Sequence, residues 1–142
     1  MPTSKAKATW EGVLRSGRGE YEAGSGTFEG RYSFPTRFEG AAGTNPEELI
    51  AAAHAACFSM ALSAGLEKAG TPSESVSTTA HCTLEMLDSG PKITTMRLVT
   101  EGVVPGIDQA AFEGAANAAK EGCPVSGALK GNVKFVLEAT LA

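Results

Sequence analysis

Alternation of apolar and polar residues marks the strands of this chain. Residues 75–87 alternate as a half-buried strand does. The face expected to meet the core carries Val76, Thr78, Ala80, Cys82, Leu84 and Met86. A turn at 88–91 joins this segment to a partner strand over 92–101, and residues 133–141 alternate as a final strand. The glycine-rich opening predicts short strands over 8–14, 19–23 and 30–34, with glycine at the turns between them.

Two helices are predicted between these strands. The first runs from about Pro46 to Ala69, with Thr44 or Asn45 as its cap and Gly70 placed to end it in the left-handed conformation. Small apolar residues surround its centre, and a helix without a polar face is a buried helix. The second helix is capped at position 108 and continues to about 121.

The order of elements is strands, long helix, hairpin, helix, strand. This order predicts an α+β fold with an antiparallel sheet rather than a wound βαβ fold. A chain of 142 residues is expected to form a single domain, residues 1–142.

Composition narrows the function classes. At 42% hydrophobic and 20% charged residues the chain is globular, and its net charge of −4 argues against nucleic acid or an anionic membrane surface as a partner. The long apolar helix is rich in alanine and carries His54 and Cys57, so a membrane span is a poor interpretation. No apolar signal segment follows the N-terminus, which predicts a cytoplasmic protein.

The three cysteines are core residues, metal ligands or reactive thiols, because a cytosolic chain does not use them as a disulfide framework. Zinc is disfavoured, since neither a Cys-x-x-Cys nor a His-x-x-x-His pair is present. No phosphate-binding glycine loop lies between a strand and a helix. We therefore expect no metal and no cofactor.

Cys57 and Cys123 each allow two interpretations. Cys57 is either a small core residue or a thiol whose pKa an imidazolium on His54, one turn earlier, could lower. Cys123 either packs two segments together or caps a short helix opened by Pro124, where the helix dipole stabilises a thiolate. Cys82, on the apolar face of its strand, is expected to be a packing residue.

Arg37 also allows two interpretations. It lies in Thr36-Arg37-Phe38-Glu39-Gly40, next to aromatic residues. Its stem could cover an aromatic ring at the surface. Alternatively, its guanidinium could stabilise a thiolate and orient an oxygen substrate.

Four segments together closely resemble the osmotically inducible protein C (OsmC) and organic hydroperoxide resistance family, and its OsmC branch in particular. The resemblance spans nearly the whole chain. The segments are Thr36-Arg37-Phe38-Glu39-Gly40, residues 43–61 (GTNPEELIAAAHAACFSMA), residues 104–108 (VPGID) and Gly122-Cys123-Pro124-Val125-Ser126.

The resemblance implies a thiol-dependent peroxidase of organic hydroperoxides. It implies an intertwined homodimer with long central helices wrapped by antiparallel sheets. Cys57 matches the peroxidatic cysteine and Cys123 the resolving one, while Arg37 and Glu47 match the activating pair, with Glu48 the less favoured partner of Arg37. An external dithiol must reduce the resulting disulfide, and the resemblance suggests a lipoyl-type dithiol.

The chemistry of the residues is consistent with this implication. A thiolate that attacks a peroxide becomes a sulfenic acid, and a second thiol captures it as a disulfide. Small apolar residues around Cys57 favour alkyl or aryl hydroperoxides over hydrogen peroxide. Two alternatives remain open: a non-catalytic dimer that binds small molecules in the same pocket, and a peroxide sensor that passes its oxidation to a partner.

Glu47 and Cys57 cannot touch along one straight helix, because ten residues rise about 15 Å. Three arrangements would resolve this. The helix starts after Glu47, a loop bearing Arg37 bridges the gap, or two chains compose the site.

Overall fold

The computed structural model describes all 142 residues. They form two compact units, Met1–Glu48 and Leu49–Ala142. Its six strands and four helices confirm the α+β class. The single domain expected over 1–142 stays a prediction.

The first unit is built on a three-stranded antiparallel sheet. Its strands are β1 (Ala6–Glu11), β2 (Arg18–Ala23) and β3 (Glu29–Tyr32), in the order β1-β2-β3. Gly19 and Gly30 lie inside strands rather than at turns. At each of them an aromatic ring occupies the space that a side chain would need. A Cβ on Gly30 would meet the ring of Tyr21, and one on Gly19 would lie 2.5 Å from ring atoms of Tyr32.

A short helix, α1 (Phe34–Phe38), follows the sheet where the sequence predicts the end of a strand. Ser33 and Thr36 form a capping box: the Ser33 amide donates to Thr36 Oγ1 at 2.8 Å, and the Thr36 amide donates to Ser33 Oγ at 3.3 Å. This reciprocal cap turns the chain into a helix immediately after β3. The predicted strand over 30–34 is therefore wrong beyond residue 32.

The long helix α2 (Pro46–Lys68) agrees with the sequence prediction at both ends. Asn45 is its cap, since Asn45 Oδ1 accepts from the Glu48 amide at 2.9 Å. Gly70 adopts a φ of +84° just beyond the helix, as expected of a left-handed terminator.

The second unit holds the other sheet and two further helices. Its elements are β4 (Ser75–Leu87), β5 (Gly90–Val103), α3 (Gln109–Gly122), α4 (Pro124–Leu129) and β6 (Lys134–Leu141), with the sheet order β4-β5-β6. The β4–β5 hairpin is antiparallel as predicted, but β6 pairs parallel with β5. The expectation of a wholly antiparallel sheet is wrong here, because α3 and α4 carry the chain back before β6 begins.

The core of this unit takes every fourth residue of α2. His54, Phe58, Leu62 and Leu66 are each at most 2% exposed. They belong with buried residues of β5 and α3, including Met96, Leu98, Phe112 and Ala116.

The opposite side of α2 is open to solvent, although the sequence predicts burial all round. Its exposed positions are Ala52, Ala53, Ala56, Met60 and Ala64, and Met60 is 78% exposed. By length and composition α2 could also cross a membrane, but its other side packs into the core of the unit. One chain therefore leaves an apolar stripe on α2 uncovered.

Gly102 in β5 faces the ring of the fully buried Phe112, and an added Cβ would lie 2.6 Å from Phe112 Cζ. We expect Gly102→Ala to lower the free energy of unfolding by about 1–3 kcal/mol, because the packed ring cannot move away. Urea denaturation measures this cost. The matched control is Gly114→Ala on the exposed side of α3, where nothing lies within 4 Å; it should stabilise the protein by about 0.5–1 kcal/mol. Equal effects at both positions would contradict the assignment.

Candidate active site

Cys123 lies where α3 ends and α4 begins, and it caps both helices. Its Sγ accepts a hydrogen bond from the Ser126 amide at 3.3 Å and lies 3.1 Å from Ser126 Oγ. Pro124 occupies the first turn of α4, as the sequence indicates. Cys123 is only 1% exposed. Cys123 therefore packs two segments together and also caps a helix, and its role as a reactive thiol stays a prediction.

Behind Ser126 lies a buried histidine. His54 Nε2 is 2.8 Å from Ser126 Oγ, and the Phe135 ring meets the imidazole edge-on with centroids 5.3 Å apart. The other ring nitrogen, Nδ1, is buried without a hydrogen-bond partner. Ser126 thus links a sulfur on one side to an imidazole on the other.

Cys57, half-buried on α2, completes the group. The Cys123 side chain and the Val125 backbone amide both lie close enough to its sulfur to affect its ionisation. Burial raises the pKa of the Cys57 thiol above its ordinary value; the Val125 amide opposes this, and the hydrogen bond and charge of Cys123 add to the increase. The two cysteines that the sequence singled out are therefore neighbours, with one sulfur more accessible than the other.

His54 does not provide the cation that the sequence suggested. Burial lowers the pKa of His54, so its ring is neutral near pH 7. This disfavours the interpretation in which an imidazolium on His54 lowers the pKa of the Cys57 thiol, and a neutral ring leaves the raised pKa of that thiol uncompensated by charge.

The first unit contains a second polar group, the ion pair of Arg37 and Glu47. Arg37 Nη2 lies 2.7 Å from Glu47 Oε1, and Arg37 Nε lies 3.1 Å from the same oxygen. The Glu47 side chain is 7% exposed and the Arg37 side chain 36%. Two donors on one buried carboxylate fix the plane of the guanidinium. Its remaining surface contacts Phe38, 5.4 Å from the ring centroid.

The structure selects Glu47 over Glu48 as the partner of Arg37. The Glu48 carboxylate is exposed and accepts instead from Thr44 Oγ1 at 2.7 Å. Since α2 already begins at Pro46, the arrangement in which the helix starts after Glu47 is wrong.

The remaining cysteine behaves as the sequence predicts. Cys82 lies on the apolar face of β4, half-buried against the core, and His81 on the opposite face is exposed.

Nowhere in the chain do three or more His, Cys, Asp or Glu side chains form a group that could hold a metal ion.

Sequence reasoning missed Ser126 as a partner of both Cys123 and His54. One local signal was present, because Ser126 follows the capping Cys123 by three residues, the spacing at which a cap meets a backbone amide. The bond to His54 joins residues far apart in the chain and left no local signal.

Comparison with known proteins finds relatives of this chain. A family model described as OsmC-like protein matches residues 39–138. The chain is 51% identical over 130 residues to the peroxiredoxin OsmC of Escherichia coli (strain K12), an alignment that covers 91% of each protein.

Solved structures agree with the sequence comparison. The organic hydroperoxide resistance protein OsmC of Legionella pneumophila superposes with a TM-score of 0.81 at 29% identity, covering 100% of this chain and 98% of that one. The organic hydroperoxide resistance protein OhrB of Bacillus subtilis superposes with a TM-score of 0.76 at 31% identity, covering 95% and 97%.

The lowered pKa of His54 predicts an acid-sensitive fold. Between the unfolded pKa of about 6.5 and the lower folded pKa, the unfolded chain binds more protons than the folded chain. The free energy of unfolding should therefore fall as the pH drops below about 6.5, by at most about 1.4 kcal/mol per pH unit from this group. Urea titrations between pH 7.5 and 5 measure the slope.

The comparison variants are His54→Gln and, as the control for losing a histidine, His81→Gln at an exposed position. His54→Gln should flatten the slope, and His81→Gln should leave it close to that of the parent protein. A parent-like slope in His54→Gln would contradict the assignment to this ring.

Proposed function

We propose a function for this chain from the family to which it belongs, the OsmC-like protein family. It is a thiol-dependent peroxidase that reduces organic hydroperoxides to alcohols. The observation that carries the mechanism is the proximity of a half-buried Cys57 to a buried Cys123.

The proposed reaction runs through both sulfurs. The Cys57 thiolate attacks one peroxide oxygen, the O–O bond breaks, an alcohol leaves, and Cys57 becomes a sulfenic acid. Cys123 then attacks the Cys57 sulfur, the S–O bond breaks, and water leaves as the disulfide forms. The proximity of the two side chains supports this step, because the second thiol needs no long movement. An external dithiol, of the lipoyl type by family resemblance, restores both thiols.

The surroundings of Cys57 favour an organic substrate. On α2, Ala53, Ala56 and Met60 lie within one turn of Cys57 and are exposed. An alkyl or aryl group that covers such apolar surface gains free energy, at roughly 25 cal/mol per Å² removed from water. Hydrogen peroxide has no such group to bury.

A second copy of the chain is the proposed partner of the part of the open side of α2 that the substrate does not cover. Its exposed residues there, Ala52 and Ala64, are small, so another helix could approach the backbone closely. We propose the intertwined homodimer that the family resemblance implies. We also propose that the protein is soluble and cytoplasmic.

Arg37 and Glu47 are proposed as the activating pair of the Cys57 thiolate. The role comes from the family motif, and the fixed geometry of the ion pair supports it. A guanidinium is permanently charged and can offset the burial that raises the pKa of the Cys57 thiol. It would act either within one chain or across the dimer.

Cysteine variants test the peroxidase assignment. Cys57→Ser should reduce consumption of cumene hydroperoxide at least about a thousandfold, because a hydroxyl at neutral pH is not a comparable nucleophile. Cys123→Ser should react once, leaving a Cys57 sulfenic acid that dimedone traps, and then turn over poorly. Cys82→Ala is the matched control and should keep parent-like turnover.

The parent protein should lose about two thiols per chain when it is treated with a stoichiometric amount of hydroperoxide. A non-catalytic binder would lose none, and a peroxide sensor would react without turnover on any dithiol. Full activity in Cys57→Ser would move the chemistry to another residue.

The activating pair is tested by Arg37→Ala and Glu47→Gln. Arg37→Ala should move the pH midpoint of Cys57 alkylation by iodoacetamide upward and slow the first oxidation about tenfold. It leaves the Glu47 carboxylate without its cation, so Glu47→Gln should be the milder change. The assay uses chains lacking Cys82 and Cys123, so that one thiol reports. The control is Arg97→Ala, which breaks the exposed ion pair with Glu138. An unchanged midpoint in Arg37→Ala would refute the proposed role.

A further inference from the structure

The two sulfurs of the proposed disulfide differ in what surrounds them. Cys123 is 1% exposed and its sulfur faces an N–H and a hydroxyl of Ser126, whereas Cys57 is half-buried. We propose that the reducing dithiol attacks the Cys57 sulfur of the disulfide and that Cys123 departs as a thiolate received by Ser126. His54 acts as a positioning residue that orients the Ser126 hydroxyl. This inference deepens the proposed function and rests on it.

Access gives the first argument. Thiol–disulfide exchange requires the incoming thiolate to reach the sulfur that it attacks. The Cys123 sulfur is enclosed by the turn between α3 and α4, while the peroxide chemistry proposed for Cys57 already requires an open approach to that residue. Attack at Cys57 therefore needs no opening of the helix junction.

The leaving group gives the second argument. The structure describes the reduced protein, the product of disulfide cleavage, and there the Ser126 amide donates to Cys123 Sγ at 3.3 Å. Ser126 Oγ, 3.1 Å away, is placed to donate as well. Hydrogen bonds to a sulfur that is gaining charge stabilise the departing thiolate and speed exchange.

The buried imidazole determines which way the Ser126 hydroxyl points. His54 Nδ1 has no partner, and a buried N–H without an acceptor is rarer and more costly than an unmet lone pair. The ring proton is therefore assigned to Nε2, which donates to Ser126 Oγ at 2.8 Å. The only hydroxyl hydrogen of Ser126 is then left for the Cys123 sulfur.

The exchange balances without any further reactant. One thiolate of the dithiol forms a bond to Cys57 Sγ as the Cys57–Cys123 bond breaks, and the electron pair goes to Cys123. The second thiol of the dithiol then attacks the reductant's own sulfur in this mixed disulfide, and Cys57 leaves. The products are a cyclic disulfide and two protein thiols. The two protons of the dithiol end on Cys57 and Cys123.

The site of attack is tested by trapping. The Cys82→Ala protein is oxidised with diamide, which forms the disulfide without any hydroperoxide, then treated briefly with 2-mercaptoethanol and quenched with N-ethylmaleimide. Peptide mass spectrometry should find mercaptoethanol on Cys57 and maleimide on Cys123. Mercaptoethanol mainly on Cys123 would overturn the inference.

The roles of Ser126 and His54 are tested by two rates in each variant. Ser126→Ala and His54→Leu should slow reduction of the diamide-formed disulfide by dithiothreitol about three- to tenfold. Ser126→Thr and His54→Gln, which keep a hydroxyl and a donor, should restore most of the rate. Oxidation of Cys57 by cumene hydroperoxide should stay near the parent value, whereas general damage to the fold would slow both reactions.

The matched control is Thr100→Val, which removes another buried hydroxyl, bonded to Thr78 at 2.9 Å. It should leave the reduction rate unchanged. Equal slowing in Thr100→Val and Ser126→Ala would overturn the inference. If diamide forms no Cys57–Cys123 disulfide, both the inference and the resolving step are wrong. If the disulfide forms but hydroperoxide is not consumed, the peroxidase function alone is wrong.

Discussion

The chemistry of the second unit depends on one constraint, the burial of one side of α2. Phe58, Leu62 and Leu66 fill that side with apolar side chains, but His54 places an imidazole in it. A buried polar ring needs a partner, and Ser126 is the partner that the fold supplies. Ser126 also hydrogen-bonds the sulfur of Cys123, the cap of α4. The residue that pairs with the buried imidazole therefore also positions the cysteine.

The same burial creates an electrostatic difficulty at Cys57. A thiol at the edge of the core loses hydration when it ionises, and its neighbour Cys123 adds to the increase in pKa. The neutral His54 cannot offset this. In the proposed function a permanent cation offsets the raised pKa, and its proposed source is the guanidinium of Arg37, which two hydrogen bonds to Glu47 hold in a fixed plane.

Local signals in the sequence predicted much of this structure. The cap at Asp108, the left-handed Gly70 and the start of α2 at Pro46 each follow from residues within a few positions. The capping position of Cys123 was readable for the same reason, because Pro124 follows it.

Features set by distant contacts were not predictable in this way. The parallel pairing of β6 depends on the path of α3 and α4, and no residue of β6 encodes its direction. The bond between His54 and Ser126 joins positions far apart in the chain. The short helix α1 depended on a reciprocal cap at Ser33 and Thr36 inside a segment that otherwise favours a strand.

Parallel pairing of β6 with β5 also constrains the order in which the chain can assemble. The β4–β5 hairpin closes over a short turn, whereas β6 must wait for the whole α3–α4 crossover, so its contacts are of high contact order and form late. Cys123 lies within that crossover. During synthesis Cys57 therefore leaves the ribosome before Cys123 has been made, and in that interval its thiol has no second sulfur beside it. In the proposed function the completed crossover, as much as the second cysteine itself, then protects Cys57 from irreversible oxidation.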